Sequence, residues 1–125
     1  MRILMVEANK IGQKAQKMML DRLGNHQVDL AENGESALQL IQRYTYDIML
    51  IDLLLPDMCA IEIIKFLRGH NEMAKIIVAA TDTKEEVEKN CLNAGGDIFL
   101  KKPIMMKTLH DILKKQEIEP EMQLS

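Results

Sequence analysis

YDIMLIDLLLPDMCA, residues 46–60, carries an unbroken apolar run into a single carboxylate, Asp52. Ile48, Met49, Leu50 and Ile51 have the branched apolar character of a strand covered on both faces, as the central strands of parallel sheets are. Pro56 and Asp57 mark a loop, because proline offers no amide to a ladder and pushes the residue before it out of helix. Asp52 is therefore expected at the carboxyl end of a strand. In an open α/β sheet that edge is where ligands bind.

Working outward, residues 2–6 (RILMV) form a second buried strand, closed by Glu7, Ala8 and Asn9. From Lys10 the period changes. Ile11, Ala15, Met18, Met19 and Leu23 recur at helical spacing until Gly24 and Asn25, and the methionines read as core filler. Residues 26–31 (HQVDLA) alternate as a more exposed strand, and Asn33-Gly34 opens a helix with Ala37, Leu40, Ile41 and Tyr44 on one face. Beyond the central loop, Ala60, Ile63, Ile64 and Leu67 share one side of a helix that residues 69–71 end. Residues 75–80 (KIIVAA) make a buried strand terminating in Thr81, Asp82 and Thr83. A helix over 85–94 has a thin apolar stripe of Val87, Cys91 and Ala94. Residues 97–101 (DIFLK) form a strand followed by Lys102 and Pro103, and a last helix from Ile104 buries Leu109, Ile112 and Leu113. Residues 1–116 read as one domain. The remainder, 117–125, contains Pro120 and too few apolar residues to pack, so it is expected to be a flexible tail or linker stub.

Five strands alternating with five helices imply an α/β, doubly wound parallel sheet with helices on both faces, joined by right-handed crossovers. Glu7, Asp52, Thr81 and Lys102 each follow a different strand, and this topology crowds them into one crevice. A strand-end threonine or lysine taken alone is usually just solvated; the convergence is the signal. A carboxylate flanked by an amine and a hydroxyl is equipped to act as a nucleophile toward a phosphoryl group. Lys102 would neutralise one oxygen, Thr81 would donate to another, and a magnesium ion on the carboxylates would take a third.

Composition narrows the alternatives. At net charge −3, with lysines scattered among acids and 3% aromatic residues, the chain lacks both the basic patch and the stacking platform of a nucleic-acid binder. Cys59 and Cys91 have no CxxC spacing, which points to a reducing, cytoplasmic compartment. The apolar start is too short for a signal peptide or a membrane span. His26, His70 and His110 read as solvated, with none placed as a phosphoryl donor. No glycine-rich phosphate loop follows the first strand, which argues against a nucleotide carrier. An aspartyl phosphohydrolase would need a second acid where Leu54 stands.

VEANK, the IDLLLPDM loop, AAT and FLKKPI, at these intervals, resemble the receiver domain of two-component response regulators, nearest to receivers attached to hybrid sensor kinases. The resemblance implies a flavodoxin-like (βα)5 fold with strand order 2-1-3-4-5. It implies that Asp52 accepts a phosphoryl group from a histidine kinase or a histidine phosphotransfer protein, with Thr81 and Lys102 stabilising the product. Magnesium would sit on Glu7, Asp52 and the backbone carbonyl of Leu54. Phe99 falls at the aromatic switch position, moving with Thr81 to reshape the face of the fourth helix, fifth strand and fifth helix for a downstream protein. The output would be binding, not catalysis.

Four positions depart from the family pattern. The second acid after the first strand, the direct magnesium ligand, is Ala8 here, so magnesium is expected to bind weakly or not at all. Asp82 replaces a small residue beside the phosphoryl position, where like charge opposes phosphorylation; it serves as a solvated helix cap or as a substitute anion for the metal or Lys102. Cys59-Ala60 replaces Asp-Gly, and alanine would be strained there if the backbone needs positive φ. Two readings remain open at this point: a phosphoryl-accepting receiver with weakened metal binding, and a degenerate receiver acting as a phosphorylation-independent interaction module.

Overall fold

Alternate residues of the inner strands point to opposite faces, and both faces are apolar, so the sheet divides the core into two halves. The structure is a computed structural model describing residues 1–124, with side chains to Glu117. Its elements are β1 (Arg2–Val6), α1 (Lys10–Leu23), β2 (Gln27–Ala31), α2 (Gly34–Arg43), β3 (Ile48–Asp52), α3 (Ala60–Gly69), β4 (Lys75–Ala80), α4 (Glu85–Ala94), β5 (Ile98–Lys101) and α5 (Met106–Leu124). One parallel sheet runs in the order β2-β1-β3-β4-β5, as expected. Leu4, Met49, Ile51, Ile76 and Val78 pack with α2, α3 and α4 on one face. Ile3, Ile48, Leu50 and Ile77 pack with Leu20 of α1 and with Leu109 and Leu113 of α5 on the other. Each such side chain contributes roughly 1.5–3 kcal/mol by leaving water.

Three expectations about packing are corrected. In α1 Met19 and Leu23 pack on the core as expected, but the fully buried residues are Gln16 and Leu20, whereas Ile11 is 80% and Met18 52% exposed. The 3.6-residue period fits two adjacent stripes there, and a polar Gln16 hid the one that faces the sheet. Tyr44 lies at the surface, its ring 3.9 Å beneath the Arg2 guanidinium instead of in the core. His26 is not solvated: its Nε2 is buried and is without a hydrogen-bond partner among the described residues. The last helix begins at Met106, so Ile104 belongs to the loop around the cis Lys102-Pro103 bond. The flexible-tail expectation for 117–125 falls almost wholly on side chains outside the described residues.

Polar ties gather at the amino ends of the strands. Asp29 accepts from the Arg2 guanidinium at 3.0 Å and from the Tyr46 hydroxyl at 2.7 Å. Asp97 accepts from Arg68 at 2.8 Å and from the Ile76 amide at 2.8 Å. The carboxyl ends of the strands are left to the site.

The β3–α3 loop is fastened to α2. Asp57 accepts from the Gly34 amide at 2.8 Å and the Glu35 amide at 2.9 Å, satisfying two orphan donors at the start of α2. Those two bonds hold its carboxyl below the usual aspartate range. The stabilisation is therefore complete above the unfolded-state pKa and disappears as pH falls through the depressed folded value. Asp57→Ala is expected to melt below the native protein at neutral pH, and the gap to close in acid. Melting temperatures of both proteins from neutral pH down to the stability limit check this; a gap that does not change with pH would rule it out.

At Cys59 the backbone is extended, with φ −88° and ψ 146°, and fully buried Ala60 simply opens α3. Cys59-Ala60 is therefore unstrained, and no glycine is required at the join.

Candidate phosphoacceptor site

Asp52 is the last residue of β3, paired in register with Ala79, and the end of the strand aims it into a cleft of about 530 Å³. Glu7 follows β1, its amide donating to the Ala31 carbonyl at 3.0 Å, and Lys102 follows β5, its amide donating to Ala80 at 2.8 Å. Thr81, exposed, follows β4. All four line this cleft, with Ala8, Ile11, Met19, Pro103 and Ile104 supplying apolar wall. A cleft of similar size between α1 and β2 is lined by Met18, Val28, Leu30 and the exposed Lys17–Asp21 pair, and brings together no buried charge.

Lys102 holds the site together. Its Nζ lies 2.7 Å from Glu7 Oε1 and 2.9 Å from Asp52 Oδ2, one ammonium bridging two carboxylates. Glu7 is buried, with only 1% of the residue exposed. Burial pushes its carboxyl up, but the bonds from Lys102 and the Asn9 amide, with the Lys102 charge, outweigh this and hold it below the usual range. In Asp52 burial is again the largest influence; the Lys102 hydrogen bond and charge oppose it, the neighbouring Glu7 adds to it, and the net direction is up. One ammonium is thus shared unequally: Glu7 keeps the negative charge more firmly than Asp52 does.

Glu7 has further partners that sequence reading missed. Gln16 Nε2 donates to Oε1 at 3.1 Å, and the Asn9 amide donates to Oε2 at 3.3 Å. Gln13 Nε2 donates to the Glu7 carbonyl at 2.7 Å. The only signal for Gln16 in the sequence is a glutamine four residues before Leu20, on the face that the sheet covers.

The other expected residues are placed as follows. Leu54 is 70% exposed on the loop beyond Asp52 and bridges to Cys59. Phe99 is half buried, packed on the α2, α3 and α4 half of the core and in register with Val78, not in the cleft. Asp82 is exposed and accepts from the Lys84 amide at 3.1 Å, closing a turn just ahead of α4. Asp82 is solvated, as expected, but it does not cap the helix, because α4 starts after Lys84 with no side-chain cap; the anion on Lys102 besides Asp52 is Glu7. Among the described residues no three His, Cys, Asp or Glu side chains group as a metal site, and no helix is long and apolar enough to cross a membrane.

This arrangement of acid, ammonium and hydroxyl at the carboxyl edge of a 2-1-3-4-5 sheet meets its match in known proteins. Residues 3–114 match the response regulator receiver domain. The chain belongs to that family. Curated relatives of this receiver include the aerobic respiration control sensor protein of Escherichia coli, 34% identical over 115 residues that cover 90% of this chain and 15% of that protein. Another is a cyclic di-GMP phosphodiesterase of Thermotoga maritima, 34% identical over 109 residues, covering 87% of this chain and 29% of that protein. This receiver thus spans less than a third of either relative. Among solved structures it resembles the receiver domain of a Pseudomonas aeruginosa sensor histidine kinase, crystallised with a magnesium ion coordinated in its active site cleft. That pair has TM-score 0.83 and 30% identity, over 92% of this chain and 95% of the other. A receiver domain protein of Methanospirillum hungatei superposes with TM-score 0.87 and 26% identity, over 98% and 97% of the two chains.

Proposed function

We propose that this receiver takes a phosphoryl group from a phosphohistidine donor onto Asp52 and uses the change to alter a protein-binding surface. The observation that carries the reading is the Lys102 ammonium standing 2.9 Å from Asp52 Oδ2 in a cleft that Thr81 also lines. An Asp52 oxygen attacks phosphorus, the phosphorus–nitrogen bond breaks, and the electron pair stays with the imidazole, which takes a proton from solvent. Lys102 neutralises charge growing on the transferred group, and the Thr81 hydroxyl donates to one of its oxygens. A histidine kinase or histidine phosphotransfer protein is the donor, in the cytoplasm. The receiving surface is α4, β5 and α5, where half-buried Phe99 and exposed Leu92 and Met105 supply apolar contact. The two surface states need differ by only a few kcal/mol.

The residues do not fit a family-type magnesium site. Ala8 brings no carboxylate, and both oxygens of Glu7 already accept hydrogen bonds from the protein. Magnesium commonly takes one or two carboxylates together with water. Asp52 and the Leu54 carbonyl alone would hold it weakly, and transfer would be slow. The same observation favours a second reading, a receiver that binds its partner without phosphorylation.

Intact-mass measurement after exposure to a small-molecule acyl phosphate separates the two. The native protein is expected to gain one phosphoryl group, labile to base, and Asp52→Asn to gain none. A native protein that gains none, and whose partner binding Asp52→Asn leaves unchanged, overturns the first reading in favour of the second.

A further inference from the structure

Gln16 and Glu7 are the two buried polar or charged side chains among the described residues, and they are bonded to each other. A glutamine on the inward face of an amphipathic helix displaces an apolar side chain that the core would otherwise receive, and that cost requires a bonded partner. Its partner is the Glu7 carboxylate. Gly12, one turn earlier on α1, provides the room: a Cβ at that position would stand 2.8 Å from Glu7 Oε1 and 3.1 Å from its carboxyl carbon. α1 thus offers Glu7 a berth, open at Gly12 and hydrogen-bonded at Gln16.

With Lys102 on the same Oε1 and the Asn9 amide on Oε2, the berth fills both acceptor directions of Oε1 and one of Oε2. Turning toward a cation beside Asp52 would break the bonds from Gln16 and Lys102. We propose that Gln16, with the space left by Gly12, is a positioning residue that keeps the Glu7 carboxylate on Lys102 and withholds it from divalent metal. This deepens the reading of the cleft as a receiver site with weakened magnesium, and it rests on that reading. Ala8 accounts for one lost ligand; Gln16 accounts for why Glu7 does not replace it.

Manganese binding to the whole chain, followed by the electron paramagnetic resonance of free ion and by paramagnetic broadening of the Asp52, Leu53 and Leu54 amides, tests the idea. Gln16→Met keeps the side-chain length and removes the donor. A hydrogen bond to a charged group is strong enough that its loss is expected to tighten manganese binding roughly tenfold. Gly12→Ala acts independently, by crowding Glu7 out of its berth, and is expected to tighten binding in the same direction. Ala8→Asp serves as the reference for a restored ligand. In the native protein, with no substitution, the Gln16 side-chain amide protons are expected to exchange slowly and to show cross-peaks to the Glu7 side chain; fast exchange would overturn the proposal even if a variant failed to fold. If Ala8→Asp tightens binding while Gln16→Met and Gly12→Ala match the native protein, the Gln16 role is refuted and the reading of the cleft stands. If no variant binds manganese, the cleft is not a latent metal site, and both fall together.

Discussion

Ala8→Asp is expected to tighten magnesium binding by at least about 10- to 100-fold, since loss of a merely supporting group around a metal already costs that much and this position supplies a ligand outright. Ala8 lies directly after buried Glu7 and lines the cleft beside Asp52, so a carboxylate there enters unclaimed by Lys102 or Gln16. Amide resonances of Asp52 and the loop after it, followed as magnesium is added, give the two affinities. In the same samples beryllofluoride, a phosphoryl mimic, is expected to move Thr81 and Phe99 resonances more completely in Ala8→Asp than in the native protein. Equal magnesium affinity in the two proteins would mean that the missing acid is not what limits the site.

Lys102→Met is expected to be the most destabilising change in the cleft. It leaves Glu7, 2% exposed in its side chain, as a buried carboxylate without a counter-ion, while Lys102 itself is 20% exposed. Removing one partner of a buried pair costs about 3–5 kcal/mol, and the partial exposure of Lys102 places this case near about 3. For a domain of this size that is a fall of roughly 10 °C in melting temperature. The sign with pH is fixed by Glu7. In the native protein its carboxyl is held low, so the ion pair contributes fully above the unfolded pKa and is lost as pH falls through the depressed value. In Lys102→Met the same carboxyl rises, and acid neutralises it. The deficit is therefore expected to be largest at neutral pH and to shrink in acid, and Glu7→Gln on the Lys102→Met background is expected to recover much of it. Denaturant melts across pH measure both; a deficit indifferent to pH would place the cost elsewhere.

The strands were legible because each inner one is an apolar run ending in a polar residue. The endings Glu7, Asp52, Thr81 and Lys102 fall on one edge of the sheet and line one cleft. α1 was not legible in the same way. Ile11, Ala15, Met18, Met19 and Leu23 make a plausible stripe, yet the sheet takes Met19 and Leu23 together with Gln16 and Leu20 and leaves Ile11 and Met18 outside. Gln16 was invisible for the same reason: glutamine on a helix reads as surface until its buried partner is known. Asp57 escaped notice as a helix anchor because its partners are 22 and 23 residues away. Cys59-Ala60 raised a question of strain that only backbone angles answer.

The ties among Arg2, Asp29, Tyr46, Arg68 and Asp97 lie at the amino ends of the strands, on the rim opposite Ala8 and Asp82. Ala8 and Asp82 take no part in those ties, so the residues that fasten the fold and the residues that line the cleft are separate sets. The rim that lines the cleft can therefore change its side chains without loosening the rim that fastens the strands.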